Sequence, residues 1–142
     1  MLVTVSEEDV CSTVAADWER VLRIYRDTCP EGEVIVLAGV GADGHIAGIL
    51  CHTADETPVF TGTEWIVSHH FQQTDNLYPH RITPTFTGWK EVVDRSYIYM
   101  SGEEKYSALT DILADAGDLH TTPARILREL EQCHLYTDAP KQ

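Results

Sequence analysis

Residues 34–50 read VIVLAGVGADGHIAGIL. An apolar run breaks into Gly39, Gly41 and Gly44, sets Asp43 and His45 on either side of the last, and turns apolar again. Residues 33–38 predict a strand without apolar–polar alternation, the pattern of a strand covered on both faces. Glycines at a strand end allow a tight turn and a close approach to the backbone. Taken literally, GVGADG fits the dinucleotide fingerprint G-x-G-x-x-G, whereas Asp43-Gly44-His45 offers a carboxylate and an imidazole for proton transfer. The rest of the chain has to decide between the two.

The chain has 142 residues and is expected to form one domain, 1–142, with a sizeable core. Its apolar fraction of 43% is ordinary for a globular protein. No apolar run approaches the roughly 18 residues of a membrane span, and the first ten residues lack the charge and apolar core of a secretory signal. The net charge of −13 argues against nucleic acid and anionic membrane as partners, because no Lys/Arg cluster exists to release counterions. Cys11, Cys29, Cys51 and Cys133 are widely spaced without a C-x-x-C pair, which suits reduced thiols and a cytoplasmic location. Cys51-His52 and His69-His70 belong to no recognisable ligand spacing, so no metal is expected.

Ser6-Glu7-Glu8-Asp9 has the form of a helix start, and Val10, Val14, Trp18, Val21, Leu22 and Tyr25 follow helical spacing down to Pro30 and Gly32. After the glycine loop, residues 46–50 predict one or two helical turns. Residues 53–79 read as irregular around a strand at 65–68. Thr83-Pro84 suits a helix opening, with a short helix over 85–93. A second buried strand follows at 97–100, and Ser101-Gly102-Glu103-Glu104 carries a capping-box pattern for a helix through Tyr106, Leu109 and Leu113. Thr122-Pro123 opens a last helix before a strand at 134–137. Strands alternating with helices predict an α/β fold, a mainly parallel sheet with helices on both faces.

A dinucleotide site needs its glycine loop to enter a long helix, and an acidic residue closing the next strand roughly 20 residues on. Here polar residues and Pro58 soon follow the loop, and Glu64 precedes the next strand instead of ending it. The tighter pattern, G-x-G-x-D-G-H, resembles the 6-phosphogluconolactonase/glucosamine-6-phosphate deaminase superfamily. So do RITPTF at 81–86, YIYMSGEEKYSAL at 97–109, and TPARIL at 122–127 followed by HLYTDAP. These blocks cover nearly the whole chain from Glu33 onward, in order. The resemblance implies a Rossmann-like sugar-phosphate lactonase/isomerase fold that works without a cofactor. It also implies further N-terminal βα units, with a Gly-Ser/Thr loop for the phosphate, so this chain is expected to be the C-terminal part of that fold.

Lactone hydrolysis needs a base to deprotonate the attacking water and an acid to protonate the leaving ring oxygen, and an imidazole serves both. By resemblance His45 and Asp43 are the catalytic candidates. Asp43 either orients the imidazole or binds sugar hydroxyls, and the plainer account makes it the cap of a following helix with His45 in the first turn. Gly39, Gly41 and Gly44 would let substrate approach the backbone. The resemblance places Arg81 and Lys105 at the phosphate end of the substrate, and the Ser101-Gly102 helix start is a further anion candidate, opposed by Glu103 and Glu104. His69, His70, His80, His120 and His134 read as surface or packing residues, and Trp18, Trp65 and Trp89 as core or partial core.

The deaminase branch carries a glutamate five residues after the motif histidine, where this chain has Leu50. This favours the lactonase branch, a hydrolase of carbohydrate metabolism in the pentose phosphate pathway acting on a phosphorylated sugar lactone. A glucosamine-6-phosphate deaminase/isomerase-like enzyme is the alternative, as is a non-catalytic sugar-phosphate-binding or partner-binding module. A parallel sheet cut along one edge also predicts a homo-oligomer or a complementing N-terminal chain.

Overall fold

A computed structural model describes residues 6–53, 57–71 and 77–140. Helix α1, Glu7–Thr28, begins where the sequence places it. The Ser6 hydroxyl accepts from the Asp9 N–H at 3.1 Å, and the Asp9 carboxylate accepts from the Ser6 N–H at 3.2 Å. Glu7, Glu8 and Asp9 put negative charge at the positive end of the helix dipole. At the other end Arg26 bonds the Asp94 carboxylate at 2.6 Å and the Val92 carbonyl. This ties the helix terminus to the loop before the central strand.

Three strands form a parallel sheet in the order β1-β4-β5: β1 is Ile35–Gly39, β4 Arg95–Met100 and β5 Cys133–Thr137. Between β1 and β4 lie a one-turn helix α2 (Pro58–Thr61), an antiparallel pair β2 (Ile66–His70) and β3 (His80–Pro84), and helix α3 (Phe86–Val92). Between β4 and β5 come a 3₁₀ turn at Glu103–Lys105, helix α4 (Tyr106–Leu113) and a 3₁₀ helix at Pro123–Glu129. The expected α/β class with a mainly parallel sheet is thus the observed one. α1 packs on β2 and β3, where the Glu19 carboxylate accepts from the N–H groups of Trp65 and Ile66, each at 2.8 Å.

The core lies on one face of the parallel sheet. Ser96, Ile98 and Met100 alternate inward on β4 and pack with Val40, Ile46, Ile49, Val59, Trp89 and Ile126, all essentially inaccessible. The intervening residues face outward, with Leu37 79% and Tyr99 64% exposed. β1 therefore alternates, contrary to the uniform apolar reading of residues 33–38: Val36 and Ala38 pack on the core while Ile35, Leu37 and Gly39 stay exposed.

Three local expectations are corrected. Residues 46–50 are not helical. Ile46 and Ile49 pair across a two-residue turn in which Ala47 and Gly48 have φ of 51° and 81°, the left-handed geometry that joins strands tightly. Thr83-Pro84 ends strand β3, and the helix opens at Thr85, whose hydroxyl accepts from the Gly88 N–H at 2.8 Å. The segment after Thr122 is 3₁₀ rather than α.

Candidate active site

Gly39 ends β1, and the next six residues curl back on themselves. The Gly41 N–H donates to the His45 carbonyl at 2.9 Å and the Gly44 N–H to the Gly41 carbonyl at 3.0 Å. Gly44 is buried with φ +92°, and its carbonyl accepts from the Ala124 N–H at 3.0 Å, which fixes the loop to the 3₁₀ helix before β5. A side chain at Gly41 would overlap the His45 ring, so the absence of one is what lets the imidazole lie against the loop.

Asp43 Oδ1 accepts from the His45 N–H at 3.1 Å and stands 2.7 Å from His45 Nδ1. No helix follows the loop, so Asp43 caps none and instead holds the next-but-one side chain. Burial pushes the Asp43 carboxyl up, but the His45 backbone N–H, ring and charge outweigh it and hold the group below the usual 3.8. An ionised acceptor at Nδ1 assigns the proton to that nitrogen and leaves the Nε2 lone pair available. Both side chains reach solvent, at 43% for His45 and 58% for Asp43. Behind them the Cys51 thiol donates to the Asp43 carbonyl at 3.0 Å; burial and then the Asp43 charge push its pKa up to about 11.

Arg81, half-buried on β3 of the other sheet, packs its aliphatic stem over Gly48 in the turn that follows this loop. Lys105 lies in the 3₁₀ turn after β4. Since Gly39 of β1 is level with Tyr99 of β4, both loops leave the carboxyl end of the same sheet, where ligands of open α/β sheets bind. Among the described residues no hydrogen bond or ion pair joins Lys105 to the His45–Asp43 pair. The structure thus brings His45, Asp43, Gly41 and Gly44 into one loop, sets Arg81 against the Ala47-Gly48 turn that follows it, and leaves Lys105 on the neighbouring strand's loop.

The Ser101-Gly102 turn differs from its reading as a helix start open to an anion. The Ser101 hydroxyl donates to Asp138 Oδ2 at 2.7 Å, and the Gly102 N–H donates to the same carboxylate at 3.1 and 3.2 Å. These bonds, the hydroxyl's first, hold Asp138 below the usual 3.8. Asp138 follows β5, 37 residues from Ser101, and the local capping-box pattern carries no sign of it.

The other singled-out histidines pack against neighbouring rings. His70 and His80 face each other across β2 and β3 with ring centroids 4.4 Å apart, His120 stacks on Phe60 at 4.0 Å, and His134 stacks on Tyr97 at 5.0 Å. His69 lies against Phe71; burial and then the neighbouring His70 charge hold its pKa below 6.5. Trp89 is wholly buried and Trp65 half-buried under the Arg23 guanidinium, but Trp18, expected in the core or partly so, is 59% exposed because it lies on the side of α1 that no other described element covers. Among the described residues no three His, Cys, Asp or Glu side chains are grouped to hold a metal ion, and no helix is long and apolar enough to cross a membrane.

Fold and loop together define an α/β protein with an exposed histidine–aspartate pair at the carboxyl ends of parallel strands. The family model for glucosamine-6-phosphate isomerases/6-phosphogluconolactonase matches residues 2–135, and the chain belongs to that family. Similar solved structures include the 6-phosphogluconolactonase from Trypanosoma cruzi, with a TM-score of 0.69 and 21% identity over 96% of this chain and 52% of that one. The 6-phosphogluconolactonase from Leishmania guyanensis gives 0.67 and 21% over 92% and 51%. A monomeric glucosamine-6-phosphate deaminase gives 0.63 and 16% over 93% and 53%. This chain therefore spans about half the length of these structures. No curated protein sequence matches it.

Proposed function

We propose that this chain carries the proton-transfer part of a 6-phosphogluconolactonase-type site, acting on the lactone of a phosphorylated sugar. The observation that carries the reading is the 2.7 Å contact between Asp43 and His45 Nδ1, with the ring exposed at the carboxyl end of β1. His45 Nε2 takes a proton from water as the water oxygen bonds the ring carbonyl carbon. The tetrahedral intermediate collapses by breaking the bond from that carbon to the ring oxygen, and the imidazolium returns its proton to the leaving oxygen. Asp43 fixes the tautomer and balances the transient positive charge, in line with its carboxyl being held ionised. Arg81 and Lys105 are the cations for the phosphate. Gly39 leaves the end of β1 open to substrate, while Gly41 makes room for the His45 ring and Gly44 for Thr122.

Leu50 supports hydrolysis over deamination. It packs against the core at the sequence position where the deaminase branch carries a glutamate. The test is the decay of freshly made 6-phosphogluconolactone in buffer, with this chain, and with His45→Ala. The reading predicts acceleration by the chain and a fall toward the buffer rate, roughly a hundredfold loss of the catalysed component, in the variant. Equal rates for the chain and the variant overturn it.

A further inference from the structure

Strands β2 and β3 run antiparallel, with Ser68 opposite Ile82, His69 opposite Arg81 and His70 opposite His80. The Phe71 N–H donates to the Pro79 carbonyl at 2.9 Å, which makes 71–79 a hydrogen-bonded rung. The 70–80 rung beside it is then of the other kind, in which facing side chains stand closest. Side chains alternate along a strand, so His70 and His80 share one face. His69 and Arg81 leave from the opposite face, which keeps the arginine charge away from the two imidazoles.

The rings of His70 and His80 lie with centroids 4.4 Å apart and planes tilted by 38°. Among the described residues neither ring takes part in a hydrogen bond or ion pair. His70 is exposed and His80 half-buried, so the pair opens to solvent. A neutral imidazole keeps a lone pair on one ring nitrogen and is the commonest side-chain metal ligand. With an ion about 2.0–2.1 Å from each ligating nitrogen, two imidazoles on adjacent coordination positions set their centroids roughly 4.5–5 Å apart. The observed spacing stands at the lower end of that range, so small ring rotations bring both lone pairs onto one ion. The charge balance agrees. The chain carries −13, and α1, which meets this face where the Ser12 hydroxyl stands 3.4 Å from that of Ser68, opens with Glu7, Glu8 and Asp9. Such a surface draws cations toward it.

We propose that His70 and His80 form a two-imidazole site for a divalent ion of the nickel, copper and zinc group, with water completing its coordination. Nitrogen donors suit these ions, whereas magnesium and calcium take oxygen ligands. The two ligands come from different strands, so the ion binds the folded hairpin and not the separated strands, and its binding stabilises the fold.

The test is a calorimetric titration of the full, untagged chain with nickel chloride, together with thermal melts at saturating ion. The expected result is one ion bound per chain and a raised thermal midpoint. His70→Ala, at an exposed position, keeps the parent's circular dichroism and weakens binding roughly tenfold or more, since losing a ligand costs no less than losing a group that orients one. His80→Gln does the same. His69→Ala, on the opposite face, binds like the parent, and magnesium chloride gives no binding. Absence of nickel binding by the parent, nickel binding unchanged in both His70→Ala and His80→Gln, or magnesium binding as tight as nickel overturns the proposal.

Discussion

After β1 the chain turns through Gly41 and Gly44 and leaves a carboxylate and an imidazole bonded to each other at the surface. After β4, one strand over and at the same end of the sheet, it turns through Gly102 and places Ser101 where it could serve an anion. The second turn is filled by the Asp138 carboxylate from beyond β5. The two loops look alike in sequence, glycine-rich and polar after an apolar run, but the first keeps one imidazole nitrogen available and the second uses its donors to anchor the end of the chain. The deciding feature is a partner far away in sequence. A turn becomes a ligand site only where the fold does not supply its own acceptor.

The contrast is broken most severely by Gly41→Ala. The new methyl group would overlap the His45 ring and lie 2.7 Å from Asp43 Oδ1, so the pair must move. Displacements of this size cost roughly a hundredfold in rate, and lactone decay is expected to fall accordingly while circular dichroism stays that of the parent. Asp138→Ala does the reverse. It frees the Ser101 hydroxyl and Gly102 N–H, so the thermal midpoint drops, while lactone hydrolysis below that midpoint keeps its rate.

Acid sharpens the comparison. Asp43, Asp94 and Asp138 all have folded pKa values below 3.8. In Asp94 burial opposes the shift, and the Val34 N–H and Arg26 override it. A depressed carboxyl contributes stability that is whole above 3.8 and is lost as pH falls through the lower folded value. Thermal melts should therefore be flat with respect to these groups above that point and decline below it, with a shallower decline in Asp138→Ala. The smallest effect concerns Cys51, whose pKa is pushed up to about 11 by burial and the Asp43 charge. Iodoacetamide at pH 8 should label exposed Cys29 well before Cys51, and Asp43→Asn should narrow that gap by mass spectrometry.

Much of the fold was legible because its signals are local. The Ser6–Asp9 capping box and the apolar face after it gave α1, and the runs at Val34, Tyr97 and His134 gave the three parallel strands. β3 is hidden in the sequence, because the proline in RITPTF suggests a helix opening while its strand character comes from pairing with β2. The turn at Ala47-Gly48 resembles helix in sequence because nothing local signals a left-handed alanine; the pairing of Ile46 with Ile49 imposes it. Within the site, Asp43 and His45 are close in sequence and their neighbourhood was visible. The approach of Arg81 to Gly48 and of Asp138 to Ser101 depends on how separate strands align, which one sequence does not display.

The most direct test sets one substitution in each loop side by side. Asp43→Asn and Ser101→Ala each remove one side-chain partner, the first from the open pair and the second from the filled turn. The account predicts that Asp43→Asn slows 6-phosphogluconolactone hydrolysis by roughly tenfold to a hundredfold, since the amide no longer fixes the imidazole tautomer or balances its charge. It predicts that Ser101→Ala hydrolyses at the parent rate. Full activity in Asp43→Asn, or a loss in Ser101→Ala as large as that expected of Asp43→Asn, would contradict it.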